Sequence, residues 1–143
     1  MTIYFDTSAL VKLIVAEDAS AVVRRLWMMA PEPYASQIGY IELRGAVARA
    51  LHSGRAPAIP QPDARSLVEG VWQRTVAVSV NLPVVRLAGA LAERHLLRAM
   101  DAIHLASALS IASYGDCPTL VTFDRRLAEA ALAEGLAVLP EVA

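Results

Sequence analysis

Short apolar runs alternate along this chain with longer segments in which apolar residues recur every three or four positions. The short runs predict strands, and they lie at Thr2–Phe5, Tyr34–Ala35, Val76–Val80, Thr119–Thr122 and Leu136–Leu139. Regular alternation of strands with helices is typical of an α/β fold. We therefore expect a mainly parallel sheet of about five strands, covered by helices on both faces.

The segments between these runs carry helix start and stop signals. The predicted helices are Thr7–Ile14, Asp18–Ala30, Ser36 to about His52, Pro62 to about Arg74, a stretch begun by Asn81 and Pro83, Asp101–Ser113, and Asp124–Glu134. Ser36 is predicted to cap the helix that follows it. The segment Ser53–Pro62 contains Gly54 and three prolines, which favours a loop.

Helical spacing also predicts which side chains share a face. The second helix places Val22, Leu26 and Met29 on one side. The helix after Asn81 places Leu87, Leu91 and His95 on one side. We expect these faces to pack against the sheet or a neighbouring helix.

The composition indicates one folded domain over residues 1–143. A chain of 143 residues can bury a core without disulfides. Its hydrophobic fraction is 56%, yet no run is long enough to cross a bilayer. Asp6 interrupts the first apolar run, so we expect no signal peptide. The apolar surplus predicts a protein interface as well as a core.

Charge and cysteine content restrict the classes of function. Cys117 is the only cysteine, which excludes an internal disulfide and fits a reducing cytoplasm. The net charge of −1 argues against broad, nonspecific binding of nucleic acid. A local basic patch stays possible, because Lys12 is the only lysine among 13 cationic residues and the others are arginines.

Acidic residues follow or flank the predicted strands. Asp6 comes directly after the first strand, Asp124 follows the fourth in Val-Thr-Phe-Asp, and Asp101 opens the helix before the fourth strand. In open parallel sheets, function collects at the carboxyl ends of the strands. Each aspartate taken alone has a simpler interpretation, which is that it caps the helix that follows.

Glu42 is harder to explain as a capping or surface residue. Its neighbours at helical spacing include Ile38, Gly45 and Ala46, so the acid borders a face of apolar and small residues. A carboxylate there needs a cation or hydrogen-bond donors. The simplest interpretation is a salt bridge to a nearby arginine, although Arg44 and Arg49 do not point the same way as Glu42.

The four acids together predict a metal site. Clustered carboxylates repel one another unless a cation neutralises them. Oxygen ligands without cysteine suit Mg²⁺ or Mn²⁺ better than zinc. Such an ion can polarise a phosphoryl oxygen and activate water. The pattern therefore suggests metal-assisted hydrolysis of a phosphodiester.

Four blocks of the sequence resemble the signature blocks of PIN-domain ribonucleases, most nearly those of the VapC toxins. They are Asp6-Thr7-Ser8-Ala9-Leu10, Ile41-Glu42-Leu43, Leu97-Arg98-Ala99-Met100-Asp101-Ala102-Ile103-His104-Leu105-Ala106, and Val121-Thr122-Phe123-Asp124-Arg125-Arg126-Leu127. The resemblance runs from Thr2 to about Pro140, with the blocks in the family's order. The third and fourth blocks are the most specific.

The resemblance implies a role for particular residues. Asp6, Glu42, Asp101 and Asp124 would form the acidic catalytic quartet, with Asp6 and Asp101 as the main metal ligands. Ser8 matches a small polar position near the metal, and Thr122 matches a hydroxyl residue that could orient a ligand. The family further implies cleavage of RNA that leaves a 5′-phosphate, with Mg²⁺ or Mn²⁺ as cofactor. It also implies homodimerisation and neutralisation by a cognate antitoxin protein.

Other residues near these blocks have two interpretations. His104 lies one helical turn after Asp101 and could be a metal ligand or proton carrier, but a packed core histidine is the more common case. Arg98 and Arg125 flank the acids and are candidates for binding RNA phosphates. Arg126 is better explained as a solvated surface residue.

Three other functions compete with the ribonuclease interpretation. A phospho-accepting receiver module would need an acidic pair after the first strand and a lysine after the last, and the chain has neither. A haloacid-dehalogenase-type phosphatase would need an acid at position 8, where Ser8 stands. A PIN-like binding module without catalysis stays open, although the intact acidic quartet argues against it.

Overall fold

A computed structural model describes residues 1–54, 61–112 and 115–141. Its strands are β1 Ile3–Phe5, β2 Tyr34–Ser36, β3 Val76–Val78, β4 Thr119–Val121 and β5 Ala137–Leu139. Its α-helices are α1 Thr7–Leu10, α2 Ser20–Met29, α3 Gly39–His52, α4 Gln61–Arg74, α5 Leu82–His95, α6 Ala99–Ala112 and α7 Arg125–Ala133. A short 3₁₀ turn over Val11–Leu13 continues α1.

All five strands join one parallel sheet in the order β3-β2-β1-β4-β5. The predicted fold class is therefore confirmed. The chain builds the sheet outwards from β1 through β2 to β3, and then returns to place β4 on the other side of β1. This change of direction makes the gap between the carboxyl ends of β1 and β4 the topological switch point, where open α/β sheets bind their ligands.

A hydrophobic core covers each face of the sheet, as predicted. Alternation along β1 sends Ile3 and Phe5 into one core and Tyr4 into the other. The first core packs α1, α2, α3 and α4 against the sheet, and the second packs α5, α6 and α7. Because β1 is fully buried on both faces, its carboxyl end is a rigid base for the residues that follow.

The sequence prediction of which side chains face the core was partly wrong for two helices. On α2, Val22 and Met29 are 40% and 52% exposed, while Val23, Leu26 and Trp27 are buried. Apolar residues surround much of this helix, so spacing alone did not select the side that meets Phe5 and the sheet. On α5, Leu87 is similarly exposed, and Val84, Ala88 and Leu91 form the buried side.

Helix boundaries differ from the sequence prediction at three places. Ser36 is the last residue of β2 and not a helix cap, because α3 begins at Gly39. The Ser36 hydroxyl instead accepts a hydrogen bond from the Ile38 N–H (3.3 Å). Asp101 is the third residue of α6 and does not open it. Of the predicted loop Ser53–Pro62, residues 55–60 lie outside the described part of the chain, as does Ser113, while Gln61 and Pro62 belong to α4.

No helix within the described ranges is both long and apolar enough to cross a membrane.

Candidate active site

The four predicted acids come from four different elements. Asp6 follows β1 directly and caps α1, Asp124 caps α7 just beyond β4, Glu42 is the fourth residue of α3, and Asp101 lies in the first turn of α6. The structure brings these groups within electrostatic range of one another. Burial raises the pKa of Asp101, and the charges of Asp124, Asp6 and Glu42 raise it further.

Asp6 is the most buried of the four, at 3% exposure. Its Oδ1 accepts hydrogen bonds from the Ser8 hydroxyl (2.7 Å) and the Ala9 N–H (3.0 Å). Its Oδ2 accepts one from the Thr122 hydroxyl (2.5 Å). Burial raises the pKa of Asp6 in spite of these donors and of the attraction of His104. The carboxylate is thus held in one orientation.

Ser8 and Thr122 also join the ends of β1 and β4. The Ser8 hydroxyl accepts a hydrogen bond from the Phe123 N–H (2.9 Å), and the Thr122 hydroxyl accepts one from the Asp124 N–H (3.0 Å). Both side chains therefore lie beside Asp6 and bond to it. Through them, the positions of Asp6 and Asp124 depend on each other.

Glu42 is paired with a histidine and not with an arginine. His104 Nε2 lies 2.6 Å from Glu42 Oε1, and the Thr7 hydroxyl donates to the same oxygen (2.7 Å). Burial alone would raise the pKa of Glu42, but the hydrogen bond and charge of His104, followed by Thr7, lower it below the ordinary value. The expected arginine partner was therefore wrong, although Arg49 adds a smaller attraction.

His104 is a packed residue of the core, as the more common interpretation predicted, with 2% exposure. Both of its ring nitrogens nevertheless have polar neighbours, because Nδ1 lies 2.7 Å from the Tyr4 hydroxyl. The sequence prediction missed Tyr4. The available signal was a tyrosine within a fully buried strand, since a buried hydroxyl requires a hydrogen-bond partner.

Asp101 faces a pocket of about 350 Å³. The pocket is lined by Leu97, Arg98, Asp101, Asp124, Arg125 and Arg126. Arg98 and Arg126 are exposed to solvent, and Arg125 Nε lies 3.7 Å from Glu129. Two acids from the predicted quartet therefore share a cleft with three guanidinium groups.

The residues fit a divalent cation by their donor chemistry. Among the described residues, none donates a hydrogen bond to the Asp101 carboxylate, and no three acidic, histidine or cysteine side chains surround a common point as ion ligands would. Burial raises the pKa of Asp101, and the charges of Asp124, Asp6 and Glu42 add repulsion to it. A hard cation coordinated by oxygen would offset this repulsion, and Mg²⁺ and Mn²⁺ meet that description.

The acids lie at the edge of a parallel α/β sheet where proteins of this class bind their ligands. The model of the PIN domain family matches residues 3–132. The chain therefore belongs to the PIN domain family. This membership overturns the receiver and dehalogenase interpretations.

Relatives extend the match over nearly the whole chain. Ribonuclease VapC45 of Mycobacterium tuberculosis is 37% identical over 96% of this chain and 94% of its own length. Ribonuclease VapC35 of the same species is 36% identical over 96% of this chain and 95% of its own length. The solved structure of VapBC2 from Rickettsia felis, bound to a DNA fragment from its promoter, shares the fold with a TM-score of 0.66. The two sequences are 17% identical, and the match covers 96% of this chain and 97% of that one.

Proposed function

We propose that this protein is a metal-dependent endoribonuclease and the toxin of a toxin–antitoxin pair, with Asp6, Glu42, Asp101 and Asp124 as its catalytic residues. The observation that carries the proposal is that Asp101 and Asp124 line one pocket beyond the carboxyl end of β4, within reach of the charges of Asp6 and Glu42 on Asp101. The relatives named as VapC ribonucleases support RNA as the substrate.

In this proposal the four carboxylates hold Mg²⁺ or Mn²⁺, with Asp6 and Asp101 as the main ligands. When bound, the ion would supply polarisation of a phosphoryl oxygen and activation of water for in-line attack. Asp6 suits this role because three donors fix both of its oxygens, so its position needs little reorganisation. Thr122 and Ser8 act by holding Asp6.

Arg98 and Arg125 bind the RNA backbone in this proposal. Both line the pocket that contains Asp101 and Asp124. Guanidinium groups form charge-assisted hydrogen bonds with phosphate oxygens, and these contacts position a strand without reading its sequence. The two arginines would hold a phosphodiester beside the acids and offset the repulsion between phosphate and carboxylate.

A homodimer and an antitoxin partner in the cytoplasm complete the proposal. Large apolar side chains are exposed on several elements, including Met28, Ile41, Leu82, Leu96 and Leu132, each more than half exposed. Ile41, which precedes Glu42 in α3, is 72% exposed. Apolar surface of this kind marks protein contacts.

The decisive experiment is incubation of the purified, antitoxin-free protein with a panel of cellular RNAs in Mg²⁺, Mn²⁺ or EDTA. We expect cleavage that requires the metal and falls on the order of 100-fold or more in Asp101→Asn, because a catalytic ion supplies several kcal/mol of transition-state stabilisation. Full activity in Asp101→Asn would refute the proposed site. No cleavage of any RNA by folded protein would favour a PIN-like binding module without catalysis.

A further inference from the structure

A chain of buried hydrogen bonds runs behind Glu42. It begins at the Ser36 N–H, which donates to the Tyr4 hydroxyl oxygen (3.0 Å). The Tyr4 hydroxyl lies 2.7 Å from His104 Nδ1, and His104 Nε2 lies 2.6 Å from Glu42 Oε1. The four groups come from β2, β1, α6 and α3. These hydrogen bonds therefore connect two strands inside the sheet with Glu42 on α3.

The direction of the bond to Glu42 follows from the chemistry of its two atoms. A carboxylate oxygen can only accept, so Nε2 of His104 carries a proton and donates it to Oε1 of Glu42. The Tyr4 hydroxyl accepts from the Ser36 N–H and lies against Nδ1, so it holds the opposite edge of the same ring.

The donors act on one oxygen of Glu42 only. His104 and the Thr7 hydroxyl both bind Oε1, at 2.6 and 2.7 Å. Within the described ranges, no residue makes a hydrogen bond to Oε2. The network therefore fixes the carboxylate through Oε1 and leaves Oε2 for a partner from outside the protein.

We propose that His104, held by Tyr4, is a positioning residue that anchors Oε1 of Glu42 so that Oε2 is the oxygen presented to the bound cation. The part that concerns the cation rests on the proposed function. A residue that only filled space in the core would need no polar contact with Glu42. Groups that orient a metal ligand in this way change metal affinity about 10- to 100-fold when they are removed.

The test compares two substitutions of His104 with the same two substitutions of His95. His104→Leu keeps an apolar side chain of similar bulk and removes the donor, whereas His104→Gln keeps an N–H near the position of Nε2. His95 is the matched control, because its Nε2 lies 3.5 Å from Glu134 and neither residue belongs to the proposed site. The readout is the dissociation constant of Mn²⁺, measured by calorimetry on folded protein.

We expect His104→Leu to weaken Mn²⁺ binding about 10- to 100-fold, His104→Gln to restore most of the affinity, and both His95 variants to bind like the wild type. Wild-type affinity in folded His104→Leu would overturn the proposal. If His104→Leu does not fold, Tyr4→Phe replaces it, with Tyr40→Phe as control, since the Tyr40 hydroxyl bonds Glu69 instead. Unchanged affinity in Tyr4→Phe would likewise overturn it.

A metal-free crystal structure of the His104 variant, or of Tyr4→Phe in its place, separates this inference from the proposed function. A Glu42 carboxylate that leaves its wild-type position supports the positioning role, even if the wild-type protein cuts no RNA. A carboxylate that keeps its position refutes that role, even if the wild-type protein is an active ribonuclease.

Discussion

At the scale of the residue, Asp101 is an acid whose charge the folded protein accommodates poorly. Burial and the charges of three other acids raise its pKa, and among the described residues it has no hydrogen-bond donor. The folded state therefore disfavours the ionised carboxylate relative to the unfolded chain. A functional residue here reduces stability in the absence of its ligand.

We expect Asp101→Asn to raise the thermal unfolding midpoint of the metal-free protein at neutral pH while it removes cleavage. Folding raises the pKa of Asp101, so the ionised carboxylate destabilises the folded wild type. This loss of stability begins above the pKa of Asp101 in the unfolded chain, and it is complete above the pKa in the folded protein. The difference between the two proteins should thus vanish in acid and grow as the pH rises. Calorimetry across pH measures it; a variant less stable than the wild type at pH 7 would contradict this account.

At the scale of the element, Asp124 has two functions that a pair of variants can separate. Its carboxylate caps α7 by accepting from the Leu127 N–H (2.9 Å), and its charge acts on Asp101. Asn81 caps α5 with the same geometry, accepting from the Val84 N–H (3.0 Å), and provides a control without a proposed catalytic role.

We expect Asp124→Asn to keep its stability and lose activity, because asparagine caps a helix about as well as aspartate but lacks the charge. Asp124→Ala should lose activity and about 1 kcal/mol of unfolding free energy. Asn81→Ala should lose a similar free energy and cleave RNA normally. Urea unfolding and cleavage rates measure these effects. Normal activity in Asp124→Asn would show that this residue acts only as a helix cap.

Elements were easier to predict from the sequence than the contacts between them. Strand alternation and the cap residues Asp6, Asn81 and Asp124 are local signals, and they located the helices and strands to within a few residues. The buried side of α2 depends on what packs against it, so local spacing could not choose Val23 over Val22. The pairing of Glu42 with His104 spans 62 residues of sequence, and only the fold determines it.

At the scale of the whole molecule, the near-neutral charge limits the proposed binding of RNA. With a net charge of −1, that binding would depend on a few local arginines. Each phosphate contact to single-stranded RNA contributes a slope of about −0.7 to the dependence of log K on log salt concentration. We expect Arg98→Ala and Arg125→Ala each to reduce that slope by about 0.7, measured with an Asp101→Asn background. Arg24→Ala, on α2, is the control, and an equal effect there would refute a local site.

The apolar surface predicts association. We expect the purified protein to sediment as a homodimer, and to form a complex with its co-expressed antitoxin that reduces RNA cleavage. The physical reason is the exposed apolar area on helices that already cover both faces of the sheet. Sedimentation velocity measures both species. A stable monomer under both conditions would contradict the prediction.

The order of the strands also determines when the proposed site can assemble during synthesis on the ribosome. Asp6 is synthesised early, but the hydroxyl that holds its Oδ2 belongs to Thr122, which follows β4. The strand that must lie against β1 at the switch point is the fourth of the five to be translated. A nascent chain that ends before β4 therefore lacks Thr122 and Asp124, and the proposed site can assemble only after most of the chain has been synthesised.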